Sequence, residues 1–331
     1  MRYSLILLMG ACLIGCPGAE PGDDDGSTVG GPSVGSVVDL GDCEAPGELS
    51  CRQLRVTCPD LPDLGLSLYV SEPEGVEEPR GVVVLGSGGD GTTAYDAATM
   101  NDLTALGYRV VNRLWEEGGW PQGDVGMAQS ACRYATLLTW LRAQQPAELP
   151  LCVTGNSGGS AEISYGLTHW GTGGLLDLAV PTGGPPMARL DLVCADEPEW
   201  QEACLDPVPI EVCGGAPTCS YQSAHFDLID SAFEGTPCTD GGPPELLQDH
   251  SVLAAEARLD YPETLTHFIF GGEDCSSAIP QGFLYAEAVV SDKVIEVVDA
   301  PHQVFSSPAG RAAIVRALDE GCVCRHPDCA P

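Results

Sequence analysis

Basic side chains are scarce in this sequence, and lysine occurs only once, as Lys293. The 331 residues include 14 lysines and arginines against 48 aspartates and glutamates, which gives a formal net charge of −34 at pH 7. A chain with this charge repels nucleic acid and anionic membrane surfaces at long range. The composition therefore argues against a nucleic-acid partner and gives a weak preference for neutral or cationic substrates.

The apolar run at the amino terminus, residues 4–14, is too short to span a bilayer as a mature helix. Arg2 precedes it and Gly15-Cys16 follows it, a pattern that resembles the lipobox of bacterial lipoproteins. The resemblance implies cleavage before Cys16 and a diacylated cysteine that anchors the protein to a membrane leaflet. An ordinary secretory signal, followed by release from the cell, is the alternative.

The domain organisation follows from that start and from composition. Residues 1–15 are predicted to be the signal peptide, and residues 16–42 a disordered tether with too little apolar content to pack. Residues 43–331 are predicted to form one α/β domain held at the cell envelope, on its periplasmic side or its outer surface. The oligomeric state is left open by the sequence.

Sixteen cysteines would be unusual in a reducing cytosol. Without Cys12 in the signal and Cys16 as the lipid site, fourteen remain, an even number that fits disulfides in an exported protein. Parity suggests that the amino-terminal group pairs with the carboxy-terminal group, and the central five with Cys275. The three groups are Cys43, Cys51 and Cys58; Cys322, Cys324 and Cys329; and Cys194, Cys204, Cys213, Cys219 and Cys238.

Strand-like and helix-like segments alternate from residue 52 onward, which is typical of a mostly parallel sheet flanked by helices. Strands are predicted at 52–58, 66–71, 81–85, 108–114, 150–155, 175–180, 264–270 and 293–298, the first two as an antiparallel pair. Helices are predicted at 93–106, 124–145, 160–170 and 308–318. Between 187 and 250 this regularity gives way to cysteine, proline, glycine and acidic residues. That segment is predicted to be an insertion stapled by disulfides.

Residues 150–159, Pro-Leu-Cys-Val-Thr-Gly-Asn-Ser-Gly-Gly, predict a buried strand that turns sharply into a helix. Small residues in a Gly-x-Ser-x-Gly turn permit the strained backbone that lifts a serine hydroxyl clear of the sheet edge. Residues 31–35 repeat the pattern around Ser33, with no strand before it and no helix after it. The context therefore selects Ser157 as the nucleophile and rejects Ser33.

A nucleophilic serine needs a base and a group that orients the base. His302 follows the last predicted strand, at the carboxyl edge of the sheet, and is the predicted base. Asp274 ends the preceding strand and is the predicted acid. Glu273 is the alternative, because a shift of one residue changes the face presented, and Asp299 is too close along the chain to reach behind the ring.

The oxyanion hole is predicted from backbone N–H groups. Gly158 supplies one, and the glycine-rich loop after the strand at 82–85, Gly-Ser-Gly-Gly-Asp-Gly, supplies the other from Ser87 or Gly88. Trp115 and Trp120 are predicted either to line an acyl pocket or to pack in the core.

No metal or cofactor is predicted. The glycines at 86, 88 and 91 fit a dinucleotide pattern, but the match is weak in a chain with 41 glycines, and an exported protein has no ready supply of dinucleotide. The carboxy-terminal run Cys322-x-Cys324-x-His326-x-x-Cys329 has a spacing that fits a metal site. In an oxidising compartment these cysteines are expected to form disulfides instead.

Over about residues 80–320 the sequence resembles the α/β-hydrolases. The order of nucleophile, acid and histidine in that family matches Ser157, Asp274 and His302, and the 187–250 insertion occupies the position of a lid. The loop at 86–89 is similar to the His-Gly-Gly-Gly oxyanion loop of the family but lacks its histidine. The resemblance implies a serine hydrolase that acts on a small-molecule or lipid-like carboxylic ester or related acyl bond.

Two alternatives stay open at this point. A peptidase or amidase would use the same triad, and nothing in the sequence separates it from an esterase. A non-catalytic surface lipoprotein would keep the scaffold as a binding module, with the insertion as its recognition surface.

Overall fold

A computed structural model describes residues 34–195 and 198–325. Within these residues, nine strands form one sheet in the order β1-β2-β3-β5-β4-β6-β7-β8-β9. The strands are β1 (Ser36–Asp42), β2 (Ser50–Thr57), β3 (Leu64–Ser71), β4 (Val82–Ser87), β5 (Arg109–Trp115), β6 (Leu151–Asn156), β7 (Leu178–Thr182), β8 (Leu265–Gly271) and β9 (Lys293–Val298). The predicted segment 1–15, Cys16 and Ser33 lie outside the described residues.

The sheet is mostly parallel, as predicted. β1, β2 and β3 pair in antiparallel fashion, β3 is antiparallel to β5, and the strands from β5 across to β9 are parallel. The central strands β4 and β6 are buried along their whole length, because helices cover both faces of the sheet. Their side chains alternate between two cores: Val82 and Val84 pack on one face, Val83 and Leu85 on the other.

The helices are α1 (Ala97–Ala105), α2 (Met127–Ser130), α3 (Cys132–Ala143), α4 (Gly158–Trp170), α5 (Leu190–Ala195), α6 (Pro198–Ala203), α7 (Ser223–Asp230), α8 (Pro244–Asp249), α9 (Ala278–Ala288) and α10 (Pro308–Gly321). Helices α1 and α10 contact each other, and their buried residues belong to the core on one face of the sheet, whereas those of α3, α4 and α9 belong to the core on the other. The helix predicted at 124–145 is divided at Ala131, and α9 was not predicted because Pro280 and Gly282 interrupt its pattern.

The predicted tether is wrong over its last seven residues. Residues 36–42 form β1, an edge strand whose register against β2 shifts between Asp39 and Gly41. Most of its side chains are exposed, so its composition resembles that of a linker. Backbone hydrogen bonds to β2, rather than burial of side chains, place it in the sheet.

Six disulfides join cysteines of the described residues. They are Cys43–Cys51, Cys58–Cys132, Cys152–Cys322, Cys194–Cys238, Cys204–Cys219 and Cys213–Cys275. The predicted grouping of the central five cysteines with Cys275 is confirmed. The predicted pairing between the two terminal groups is wrong, because α10 packs against β7, β8 and β9 and the residue after it, Cys322, reaches Cys152 of the neighbouring strand β6. Cys322 is therefore committed to a disulfide and is not a ligand of a terminal metal cluster.

Among residues 34–195 and 198–325, no helix combines the length and the apolar character that a membrane crossing requires.

The disulfide between Cys152 and Cys322 ties the strand that precedes Ser157 to the end of α10, across 170 residues of chain. We expect the double substitution of both cysteines by alanine to lower the free energy of unfolding by about 2–5 kcal/mol, because it removes a constraint on the unfolded chain. Urea unfolding of the purified domain measures this loss. The matched control replaces Cys43 and Cys51, which close a loop of sequence separation 8 and should cost less. Equal losses would contradict the chain-entropy explanation.

Candidate active site

Ser157 lies at the turn between β6 and α4, with φ 58° and ψ −117°. A positive φ is strained for a residue with a side chain, and such strain is typical of a nucleophile held at a sharp turn. The Ser157 N–H donates to the Thr182 carbonyl at 3.0 Å, and Ser160 Oγ donates to the Ser157 carbonyl at 2.5 Å. These bonds hold the turn on both sides of the serine.

The glycines of the turn are required by close backbone contacts. A Cβ at Gly155 would lie 2.4 Å from the Gly159 backbone, and one at Gly159 would lie 2.3 Å from the Gly86 carbonyl oxygen. A Cβ at Gly158 would lie 2.1 Å from the Gly88 carbonyl oxygen. Side chains at these positions would therefore force β6, α4 and the loop after β4 apart.

These contacts bring the predicted oxyanion residues together. Gly158 begins α4 and meets Gly88 and Gly89 of the loop after β4. Gly88 has φ +83° and is partly exposed, whereas Ser87 is buried in the ladder with β6. Gly89, which was not singled out from the sequence, accepts a hydrogen bond from Trp120 Nε1 at 3.1 Å.

Asp274 and His302 are in direct contact. His302 Nδ1 lies 2.7 Å from Asp274 Oδ2, and the aspartate side chain is 1% exposed against 35% for the histidine. Asp274 Oδ1 also accepts the Ser276 N–H at 2.9 Å, and Ser276 Oγ lies 3.3 Å from His302 Nδ1. A carboxylate that accepts from Nδ1–H leaves Nε2 as the basic nitrogen of the ring.

The other two acids weighed from the sequence do not hold the ring. Glu273 is exposed, and its backbone N–H donates to the Ala300 carbonyl at 3.0 Å. Asp299 is also exposed, and its carbonyl accepts from Ser307 Oγ. Of the three acids, Asp274 is the one whose carboxylate faces His302.

Asn156 joins the histidine loop to the serine turn. Its Oδ1 accepts the Val304 N–H at 3.1 Å, and Thr182 Oγ1 lies 3.0 Å from the same oxygen. A Cβ at Gly183 would lie 2.5 Å from the His302 carbonyl oxygen and 3.2 Å from Asn156 Oδ1. The residue immediately before Ser157 therefore anchors the loop that carries His302. Sequence reasoning missed this role, for which the only signal was an amide inside an apolar strand.

A buried ion pair supports the loop after β4, residues 86–91, which is the predicted oxyanion loop. Arg113 of β5 pairs with Glu162 of α4, and both side chains are 0% exposed. Arg113 Nη1 donates to the Gly91 carbonyl at 2.7 Å, and Trp115 Nε1 donates to Glu162 Oε1 at 2.5 Å. Burial lowers the pKa of Arg113 to about 10. Because this value is still well above 7, the guanidinium stays protonated at neutral pH. The pair thus ties the loop at 86–91 to the helix that follows Ser157.

Trp115 and Trp120 pack in the core, which is one of the two positions predicted for them. Trp115 is buried at Glu162, and Trp120 is fully buried with its indole N–H on Gly89. Trp120 bonds the loop at 86–91 through its indole, whereas Trp115 bonds it through its backbone N–H on the Gly91 carbonyl at 3.1 Å. Arg113 and Glu162 were missed from the sequence, although Glu162 is the one acidic residue in the α4 sequence.

The insertion, residues 187–250 with 196–197 outside the described residues, lies against two loops of the site. The Leu228 side chain of α7 packs on Gly89, since a Cβ there would lie 2.8 Å from Leu228 Cδ2. At the other side, Cys213 is bonded to Cys275, the residue after Asp274. The Thr218 N–H also donates to the Cys275 carbonyl at 2.8 Å. The insertion has the position of a lid, as predicted.

The buried ion pair can be tested through stability. We expect Glu162→Gln to lower the free energy of unfolding by about 3–5 kcal/mol, because it leaves the Arg113 charge buried and unpaired. Urea unfolding measures the loss. The matched control combines Arg113→Met with Glu162→Gln, which removes both charges and keeps an acceptor for Trp115. It should recover at least half of the loss, and a double variant as unstable as the single one would contradict this account.

No protein-family model and no curated protein sequence matches this chain. Solved structures do match it. A brefeldin A esterase, described as a bacterial homologue of human hormone-sensitive lipase, aligns with a TM-score of 0.57 and 16% identity over 85% of this chain and 79% of its own. A bacterial heroin esterase aligns with a TM-score of 0.56 and 16% identity over 84% of this chain and 86% of its own. With its sheet order and the insertion between β7 and β8, the chain has an α/β-hydrolase fold.

Proposed function

We propose that this protein is a serine hydrolase that cleaves a carboxylic ester or a related acyl bond. The observation that carries the proposal is the 2.7 Å contact between His302 Nδ1 and Asp274 Oδ2, in a loop that Asn156 anchors beside the strained Ser157 turn. A histidine, an acid and a serine arranged in this way can generate a nucleophile at neutral pH.

Ser157 Oγ would attack the acyl carbon while His302 Nε2 takes its proton. Asp274 would hold the ring and stabilise the imidazolium that forms. When the tetrahedral intermediate collapses, the bond from the acyl carbon to the leaving oxygen breaks and His302 returns the proton to that oxygen. Water, activated by the same histidine, then releases the acid and restores Ser157.

The oxyanion would be bound by the N–H of Gly158 and by a second backbone N–H from Ser87 or Gly88. Each such donor is worth about 3 kcal/mol in the transition state. The loop that carries the second donor is braced by the Arg113–Glu162 pair, so little reorganisation is needed when charge develops. This scheme uses the chain's own residues, with no metal or cofactor in any step.

The two structures compared above are named as esterases, which favours an ester over an amide as the substrate class. Both share 16% identity with this chain. The assignment of an ester substrate is therefore supported mainly by the site residues and is decided by measuring substrate turnover. A peptidase or amidase would show itself in the same test by turnover of amide substrates.

We expect a fluorophosphonate serine probe to label the wild type covalently and to leave Ser157→Ala unlabelled. Asp274→Asn and His302→Ala should lower kcat on a chromogenic acyl ester by a factor of about 10³–10⁴, because the base is misplaced or lost. In-gel fluorescence and ester hydrolysis measure the two effects. The matched control is Ser33→Ala, in the second Gly-x-Ser-x-Gly sequence, which should label like the wild type. A folded, oxidised wild type that is neither labelled nor active would favour a binding module instead.

The six disulfides indicate an oxidising compartment. We further propose that diacylated Cys16 anchors the protein at the bacterial cell envelope, with residues 17–35 as a linker to β1. Expression in a bacterial host with a palmitate analogue should label the wild type and place it in the membrane fraction. Cys16→Ser should lose both label and membrane association. A soluble, unlabelled wild type cleaved near residue 16 would point to ordinary secretion.

A further inference from the structure

One segment of the lid insertion crosses above the candidate site. Thr218 is hydrogen-bonded to Cys275, beside Asp274, and Leu228 packs on Gly89 of the oxyanion loop. The chain between them must therefore run from the acid side of the site to the oxyanion side. Residues 219–227 include the start of α7 and form this crossing, which we call the lid crossing.

The lid crossing carries two neighbouring polar rings. The ring centroids of Tyr221 and His225 lie 5.2 Å apart. Tyr221 Oη and His225 Nδ1 are both buried, and neither has a hydrogen-bond partner among the described residues. A buried polar atom without a partner costs about 1–3 kcal/mol. Two such atoms on adjacent rings are therefore suited to a ligand that supplies the missing partner.

His225 also lies near enough to His302 for the two rings to interact electrostatically. Burial, followed by the charge of His302, lowers the pKa of His225. The His225 ring is therefore neutral at pH 7 and can donate or accept a hydrogen bond according to its tautomer. A tyrosine hydroxyl has the same freedom. The matching chemical group is a hydroxyl, which also donates and accepts.

The chemistry of His302 decides which part of an ester substrate lies beside it. His302 must return its proton to the leaving oxygen, so the alcohol part of an ester lies next to His302. Since His225 interacts electrostatically with His302, its ring and the neighbouring ring of Tyr221 are assigned to the alcohol side of the site rather than the acyl side.

We propose that Tyr221 and His225 form a subsite for the alcohol part of the substrate, and that this alcohol carries a second hydroxyl near the ester oxygen. The substrate class is a monoester of a polyol. In the reaction the acyl group passes to Ser157 Oγ, and the polyol leaves with the proton that His302 returns. This inference rests on the serine-hydrolase function proposed above.

Two acetate esters with a common acyl group test the subsite: glyceryl 1-monoacetate and propyl acetate. The wild type should prefer the monoacetate in kcat/KM on the order of tenfold or more, the difference that one or two added hydrogen bonds make. His225→Phe and Tyr221→Phe should bring the ratio of the two kcat/KM values close to one. His225→Gln keeps hydrogen-bonding atoms and should retain part of the preference. A general loss of structure would change both esters alike and leave the ratio in place.

Asp227→Asn is the matched control, since Asp227 is an exposed residue of the same helix. It should leave the rates on both esters unchanged. Fluorophosphonate labelling of every variant reports whether the Ser157 turn is still assembled, and circular dichroism reports folding.

The outcomes separate the subsite from the proposed function. A labelled wild type that hydrolyses both esters without preference overturns the subsite and leaves the serine hydrolase standing. A wild type that prefers acetylcholine, the acetate ester of choline, to glyceryl 1-monoacetate also overturns it, because the subsite would then bind a cation. A folded, unlabelled wild type that hydrolyses neither ester overturns both proposals. Should the phenylalanine variants not fold, the wild-type preference and His225→Gln still decide the question.

Discussion

Close backbone packing around Ser157 is the constraint on which the candidate site depends. Gly155, Gly158 and Gly159 allow β6, α4 and the loop after β4 to approach within distances that any Cβ would block. The same contacts hold Ser157 at a positive φ and set Gly158 beside Gly88. Ser157 and the loop after β4 are therefore positioned by one set of contacts, which a single side chain on these glycines would disrupt.

Buried polar groups connect the remaining parts of the site to that turn. Asn156 holds the loop of His302 through the Val304 N–H, and Arg113 with Glu162 joins the oxyanion loop to α4. Such groups are costly to bury unless every partner is in place. Their cost is offset by the hydrogen bonds of Asn156 and by the ion pair of Arg113 with Glu162. The result is a site whose elements come from distant parts of the chain but have little freedom to separate.

The lid insertion is held by disulfides as well as by apolar packing. Its helices are short, and Cys194–Cys238 and Cys204–Cys219 cross-link it internally, while Cys213–Cys275 fixes it to the loop of the acid. These disulfides add to apolar packing, because residues of the insertion such as Val193, Trp200 and Ile229 are buried in the core that α4 also joins. Cys213–Cys275 also fixes the insertion beside Asp274, close to the start of the lid crossing that carries Tyr221 and His225.

The sequence by itself determined the elements that depend on local pattern. The buried runs of β4 and β6 and the Gly-x-Ser-x-Gly turn are readable because each obeys short-range periodicity or spacing. The order of Ser157, Asp274 and His302 is readable because each follows a strand that the pattern predicts. Tertiary structure decided what depends on partners far along the chain. β1 is a strand only because β2 offers backbone partners, and Cys152 pairs with Cys322 because α10 packs on the sheet. The roles of Asn156, Arg113 and Glu162 likewise exist only once folding has brought their partners within hydrogen-bond distance, and no local pattern records such a contact.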